Sequence, residues 1–407
     1  MESLLTDEAR RWRDRAREFA REVIEPASRR EWTVDDTERM PWDVIEAASA
    51  AGFRTLVVPP EYGGPDPGLD TFTLALIIEE FATADPGITH YFGHCIKDVR
   101  QVMRRGNEEQ VERFLKAFVA DDRYITAHAS TEPGAGADRY LAPKGFRFET
   151  TAVRDGDGWV LNGRKHCIAG GNEAGLVLVQ ATTDTSQDYM DATTMFMVFR
   201  DNPGMKRGVV HDKAGLRMLN NAEIIFEDCW VPDRDVLGTV HNAVRQRGKA
   251  ARDNGMMSMA FKLGVARAAY ETALAHATHR VQGGTEIIRH QAVGLKLGEI
   301  LSCVETIRSM MYRFALMTAD DDSWDPKFAD VATWTAVEAA FRAATLGLQI
   351  CGCHGSWLDH KAQKHLRDAM MYFPNDGTHT IHLLRAHTRM IADAGLDLAD
   401  GAALTSG

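Results

Sequence analysis

The sequence predicts an α+β protein laid out as a helical domain, a β-domain and a helical bundle, in that order. Three observations predict it. Over Asp7 to about Arg29, Ala9, Trp12, Ala16, Phe19, Ala20, Val23 and Ile24 recur at three- and four-residue spacing among Arg and Glu, which is the pattern of an amphipathic helix. From about residue 124 the spacing changes to short alternating or β-rich runs parted by turn residues. After Pro232, long Ala-rich apolar stretches return, of a length that packs as a bundle. A chain of 407 residues exceeds one compact core, and these shifts divide it into 1–123, 124–240 and 241–407.

Within the first block a second helix is expected over roughly 41–51, ending at Gly52, and a third over roughly 70–83, where Phe72, Leu76, Ile77 and Phe81 supply the buried stripe. The middle block offers strands at Phe146 to Val153, Trp159 to Leu161, Leu176 to Gln180, Met195 to Phe199 and Ile224 to Phe226. Asp155-Gly156-Asp157-Gly158 and Asn162-Gly163 carry hairpin chemistry, because Gly and Asn tolerate positive φ. The last block should hold helices at 255–280, 287–317, 327–350 and about 378–394. Asp320-Asp321-Asp322 is expected as a solvated loop, and no internal repeat or low-complexity tract is present.

Composition narrows the function classes. With 44% hydrophobic and 26% charged residues the chain is globular, not disordered or fibrous. A formal charge of −11 without a basic cluster argues against nucleic-acid binding. It does not exclude an anionic small molecule, since a few Arg or Lys side chains or helix N-termini can hold phosphates. The six cysteines lack the spacing of a disulfide scaffold, so a reducing cytoplasm is expected, with Cys351 and Cys353 beside His354 taken as packing residues and no metal site expected. No basic-then-apolar signal region and no apolar run of membrane-spanning length occur, so membrane insertion is not expected either.

An ordered set of segments across nearly the whole chain carries more specific information. It comprises Pro60-Glu61-Tyr62-Gly63-Gly64, Glu79-Glu80, Ser130-Thr131-Glu132-Pro133-Gly134-Ala135-Gly136-Ala137-Asp138 and Leu161-Asn162-Gly163-Arg164-Lys165. Further along stand Ile225-Phe226-Glu227-Asp228, Val231-Pro232, Leu237-Gly238, Gln349-Ile350-Cys351-Gly352, Arg367-Asp368 and Asp376-Gly377-Thr378. Together these resemble the acyl-CoA dehydrogenase family. The resemblance implies an N-terminal helical domain, a central β-barrel-like domain and a C-terminal four-helix bundle. It also implies FAD, an acyl-CoA substrate, an electron-transfer flavoprotein as acceptor, and assembly as a homotetramer or dimer.

By the same resemblance Asp376 stands at the position of the base that takes the α-proton, where most of the family carries glutamate. Aspartate is one methylene shorter, and a shift of about 1 Å in a reacting group can cost about a hundredfold in rate, so the site must be shaped for it. An alternate base position near the start of the long helix after the β-domain falls on Asn254, with Asp253 adjacent; Asp253 reads equally as a helix N-cap. Arg280 matches an arginine that reaches the FAD pyrophosphate of a neighbouring subunit, and Gln291 and Gln349 match flavin-adenine positions. Thr131 and Thr378 match contacts to the isoalloxazine and the FAD phosphates. His128, Ile168, Ala169 and Thr380 fall at further cofactor positions, and Ala137 and Arg252 at substrate positions.

There are departures from the family pattern. Cys167-Ile168-Ala169 replaces a Trp-x-Thr segment and removes a hydroxyl near the flavin; Gly283 stands for an aromatic residue, Ala137 for a serine and Cys353 for a glycine. They point away from a straight-chain substrate and toward a bulky, branched or cyclic acyl group. Two other readings stay open at this level. One is a non-catalytic partner subunit of a hetero-oligomer formed with a paralogue. The other is a flavin oxidase resembling nitroalkane oxidases, against which Leu383 stands seven residues after Asp376 where an arginine is expected.

Overall fold

The computed structural model describes residues 5–31, 39–245, 248–319, 323–375 and 377–396. The first helix, α1 (Asp7–Phe19), begins where the Thr6 hydroxyl accepts the Ala9 N–H at 3.1 Å. It runs through a wide π-turn at Ala20–Ile24 into α2 (Glu25–Ser28), past Pro26, which has no N–H to give. Then follow α3 (Trp42–Ala50), α4 (Thr71–Ala84), α5 (Pro86–Arg105) and α6 (Glu108–Ala120). Side-chain caps fix their starts: Asp70 for α4, Asp85 with Pro86 for α5, and a reciprocal Asn107–Gln110 capping box for α6.

The central domain contains β1 (Thr126–Ala129), β2 (Thr151–Asp155), β3 (Gly158–Ala169), β4 (Leu176–Thr182), the short helix α7 (Tyr189–Ala192), β5 (Thr193–Phe199), β6 (Met205–Val210) and β7 (Asn221–Pro232). They form one seven-stranded sheet. β2, β3, β7 and β6 pair antiparallel in that order, while β4 pairs with β5 along one edge and lies parallel to β1 along the other. The two halves join through Thr151 opposite Thr182, so the sheet curls at that seam.

Two expectations for this domain are corrected. Phe146 to Thr150 is not strand: the N–H groups of Glu149 and Thr150 donate to the Glu132 carboxylate at 2.7 and 3.0 Å, and Phe148 plugs a small core with Ala142 and Tyr189. Asn162-Gly163 is not a hairpin but an irregularity inside β3, where the register against β7 slips. Gly163 has φ 144°, and a Cβ on it would lie 2.6 Å from the Thr150 Cα, so close approach explains the glycine. The Asp155 to Gly158 turn does close the β2–β3 hairpin.

The C-terminal part is helical: α8 (Gly248–His279), α9 (Gln291–Ala319), α10 (Pro326–Cys351), α11 (Lys361–Met370) and α12 (Thr380–Asp393). A two-strand hairpin, Val281–Gln282 with Thr285–Glu286, turns α8 into α9. The three long helices α8, α9 and α10 each pack on the other two; α11 lies against α8 and α10, and α12 along α10. Asp320-Asp321-Asp322 lies outside the described residues. Among the described residues no helix is long and apolar enough to cross a membrane.

Two buried ionic clusters join the parts and explain two of the sequence motifs. Glu79 and Glu80 on α4 are buried, and Arg267 of α8 binds them at 2.8 and 2.5 Å; Arg308 of α9 and Arg17 of α1 complete the group at 3.2 and 2.9 Å. Arg367 and Asp368 on α11 form the second. Arg367 reaches Glu31 at 2.5 Å, and Asp368 takes Lys364 at 2.5 Å and the Leu216 N–H at 2.7 Å. Lys364 also meets Asp85 at the start of α5 at 3.1 Å. Helical N-terminus, β-domain and α11 are thereby tied together.

Candidate functional site

The segment after β1 is shaped by one buried ion pair. Lys165 on β3 and Glu132 meet at 2.7 Å with both side chains fully enclosed, and the ammonium also lies 3.9 Å from the centre of the Phe148 ring. Burial pulls the Lys165 pKa down to about 8 against the opposing pull of Glu132. The pair pins the 131–136 turn onto the sheet beside Thr131, whose carbonyl accepts the His166 N–H at 2.8 Å. The Thr131 hydroxyl accepts from Arg139 at 2.8 Å, and Arg139 also donates to the Tyr140 hydroxyl at 3.1 Å. Ala137 opens the 3-10 turn that carries both. Ile168 is buried and Ala169 half-buried at the end of β3, opposite Ala222 and Asn221.

A polar cluster that sequence reading did not find lies between α5, β1 and α8. His128 on β1 directs Nδ1 toward the fully buried Asp98 carboxylate at 3.6 Å. Burial would raise the Asp98 carboxyl, but Lys97, His128 and His94 outweigh it and hold it down at about 2. Lys97 and His94 meet at 3.1 Å, and burial with the Lys97 charge drives His94 well below its usual pKa. One turn earlier His90 stacks on Phe261 of α8, 4.2 Å between ring centres. Lys262 sits 4.9 Å over Tyr372, four residues before Asp376, and bonds Ser258. The available signal was polar side chains at positions 90, 94, 97 and 98 on neighbouring turns of α5, among the buried Tyr91, Phe92, Cys95, Ile96 and Val99. Asp98 and His90 find their partners, His128 and Phe261, on other elements, which one helix's spacing does not show.

Below this cluster a cleft of about 690 Å³ opens between α5, the start of α4, α8 and the end of α9. Arg100, Arg104, Arg252, Asp253, Thr71 and Asp66 line it. Arg252 also stands 4.6 Å over the Trp324 ring. Asp253 is not an N-cap, because α8 already begins at Gly248. Its carboxylate is held by Arg104, by the Thr71 hydroxyl at 3.0 Å and by Arg100 at 3.8 Å.

The remaining expected positions fall elsewhere. Arg280 ends the α8 side of the hairpin and Gln291 starts α9, so the two share one end of the bundle. Gln349 belongs to the same end, since Cys351, which closes α10 two residues later, comes close to His276 near the end of α8. All three glutamine and arginine side chains are exposed. Asp376 lies outside the described residues. Its neighbour Gly377 has φ 91°, and a Cβ there would stand 2.8 Å from the Tyr140 ring, which brings the 137–140 turn against the start of α12. Thr378 and Thr380 are exposed at that start, and His379 is held by Glu338 at 2.9 Å.

The donor set suits FAD. The end of β3 and the Thr131 turn offer backbone and hydroxyl groups beside a buried core, and the exposed Arg280 guanidinium suits a pyrophosphate.

Comparison with known proteins gives a consistent result. The sequence matches the acyl-CoA dehydrogenase N-terminal domain over residues 6–122, the middle domain over 127–229 and the C-terminal domain over 251–391. It is 28% identical over 392 residues to cyclohex-1-ene-1-carbonyl-CoA dehydrogenase of Geobacter metallireducens, covering 96% of this chain and 98% of that protein. With the mitochondrial short-chain specific acyl-CoA dehydrogenase of Bos taurus it shares 30% identity, covering 92% and 90%. Its fold superposes on butyryl-CoA dehydrogenase from Megasphaera elsdenii with a TM-score of 0.85 at 25% identity, over 95% of this chain and 99% of that one.

Proposed function

The chain belongs to the acyl-CoA dehydrogenase family, oxidoreductases that act on CH–CH bonds with FAD as cofactor, and on that premise we propose that it converts an acyl-CoA to its 2,3-enoyl-CoA with Asp376 as base. Asp376 takes the α-proton, while the backbone N–H at 376 donates to the thioester carbonyl and stabilises the enolate charge as it develops. The chemistry that FAD would supply when bound is the acceptor for the β-hydrogen as hydride. Thr131, His128, Ile168 and Ala169 hold the isoalloxazine side; Thr378 and Thr380 hold the phosphate side. Arg280 would reach the FAD pyrophosphate of a neighbouring subunit, and Gln291 and Gln349 stand at the flavin-adenine positions. Ala137 and Arg252 contact the CoA ester, and an electron-transfer flavoprotein takes the electrons.

The observation that carries this reading is the packing of Tyr140 on Gly377, which joins the Thr131 turn to the residue following Asp376 across more than half the sequence. A shorter base demands a site held tightly, and a glycine backed by an aromatic ring is such a hold. The acyl group is bulky, branched or cyclic. In support, Cys167-Ile168-Ala169, Gly283 and Ala137 change positions around the expected flavin and substrate relative to the family pattern. The similarity to a dehydrogenase named for a cyclohexene-carbonyl-CoA points the same way.

Anaerobic titration of the purified flavoprotein with a panel of acyl-CoA esters tests the proposal. Bleaching by a branched or cyclic ester at lower concentration than by butyryl-CoA or octanoyl-CoA is the expected result. A flavin that no ester in the panel bleaches would remove the reading.

A further inference from the structure

The bulge near the end of β3 builds something the reaction above does not use. His166, Cys167 and His211 bring one ligand atom each to within 4.8 Å of one another, Cys167 exposed and the two histidines half-buried. The geometry points to a divalent transition-metal site, His166–Cys167–His211, with Zn²⁺ as its ion and a fourth position left to solvent.

Four features make this a built site rather than a chance gathering. First, Cys167 has φ 57°, a left-handed conformation that costs a non-glycine residue energy. It falls in the register slip between Lys165 and Ile168, so that both His166 and Cys167 lie outside the core while Lys165 and Ile168 are buried. Regular β pairing would have put 166 and 167 on opposite faces.

Second, the His211 Nε2 is shielded from solvent and has no hydrogen-bond partner among the described residues. A buried nitrogen without a partner is disfavoured unless something binds it. Third, the His166 Nδ1 is held by the Glu223 carboxylate at 3.2 Å, which fixes a tautomer with the lone pair on Nε2. Carboxylate-backed imidazole is the usual support of a zinc ligand.

Fourth, one residue clamps both backbones. The Asn221 side chain donates to the Cys167 carbonyl at 2.9 Å, and the Asn221 carbonyl accepts the His211 N–H at 2.8 Å. Rings 166 and 211 are held edge to face, 4.5 Å between centres.

Two imidazoles and a thiolate are a borderline-soft set that suits zinc better than magnesium or calcium. The thiolate and the Glu223 carboxylate, which Arg164 also reaches at 3.5 Å, offset part of the charge of the ion. Bonds of about 2.0–2.3 Å place tetrahedral ligand atoms roughly 3.3–3.8 Å apart. Closing from 4.8 Å needs only small side-chain rotations, which an exposed cysteine permits.

A second group, His276, Cys351 and His360, has the same composition. It is less suited, because Cys351 is buried and the His360 Nδ1 already accepts the Ala362 N–H at 3.1 Å as a helix cap.

The test uses the FAD-loaded protein in a Cys351→Ser background, dialysed without chelator. Zinc content per chain is measured, then Zn²⁺ affinity by competition with a chromogenic chelator, and Co²⁺ binding by difference spectra for a thiolate-to-cobalt band. The expected result is one equivalent per chain. Cys167→Ala and His211→Ala should each weaken Zn²⁺ by roughly a hundredfold or more, with the cobalt band absent in the first. Cys167→Ser replaces the alanine variant if that one loses its flavin. Absence of stoichiometric zinc, unchanged affinity in either variant, or metal lost through Cys351→Ser alone would overturn the assignment. None of these readouts depends on acyl-CoA turnover.

Discussion

Lys165 carries its ammonium into the core, where, among the described residues, Glu132 offers it a carboxylate while also holding the Glu149 and Thr150 N–H groups. Glu132→Gln leaves that charge enclosed without its counter-ion and should cost about 3–5 kcal/mol by urea denaturation. His365 is a second residue whose burial has a measurable sign. Burial, with Lys364 and Lys361 nearby, pulls it down to about 3, whereas the unfolded chain takes up the proton near 6.5. Below that pH the unfolded state binds more protons, so this contribution to stability is whole at neutral pH and drains away as pH falls from about 6.5 toward 3. Between pH 7 and 5 it amounts to about 2 kcal/mol. His365→Asn should lose less stability over that interval than wild type by about that amount; equal losses would show that His365 is not buried neutral. At this scale the motif positions were legible only through the resemblance. The α5 stripe was not, because Asp98 and His90 acquire meaning from His128 and Phe261 on distant segments.

Among the elements, the long helices were legible wherever an apolar stripe faces the core, as in α1, where Ala9, Ala16 and Phe19 are buried. α11 was not. It buries Gln363, Lys364, His365 and Asp368, and a helix held by ion pairs shows no apolar stripe to read. The 146–150 stretch misled in the opposite way, since its aromatic residues fill a small core while its N–H groups serve a carboxylate. The joint between α4 and α8 carries a prediction of its own. Arg267→Met strips Glu79 and Glu80 of their shared cation, leaving Arg308 and Arg17 to hold one each. We expect a loss of about 3 kcal/mol or more in a denaturation curve. A change under about 0.5 kcal/mol would mean that hydrophobic packing alone holds α4 on α8.

For the whole molecule, the exposed end of the bundle sets Arg280, Gln291 and Gln349 beside the exposed apolar side chains Val281, Leu295, Trp357 and Leu358. Apolar groups gathered beside Arg280, proposed to serve another subunit's FAD, are expected to be covered by that subunit. Light scattering should therefore give a dimer or tetramer, and Arg280→Glu should release FAD. A monomer that retains full FAD would refute this arrangement. Everything proposed for the reaction converges on one carboxylate. The direct measurement is the rate of anaerobic flavin reduction by a saturating, active acyl-CoA, compared between wild type and Asp376→Asn at equal FAD content. Asp376 as base requires reduction to slow by at least about a thousandfold while the ester still binds; equal rates would contradict it.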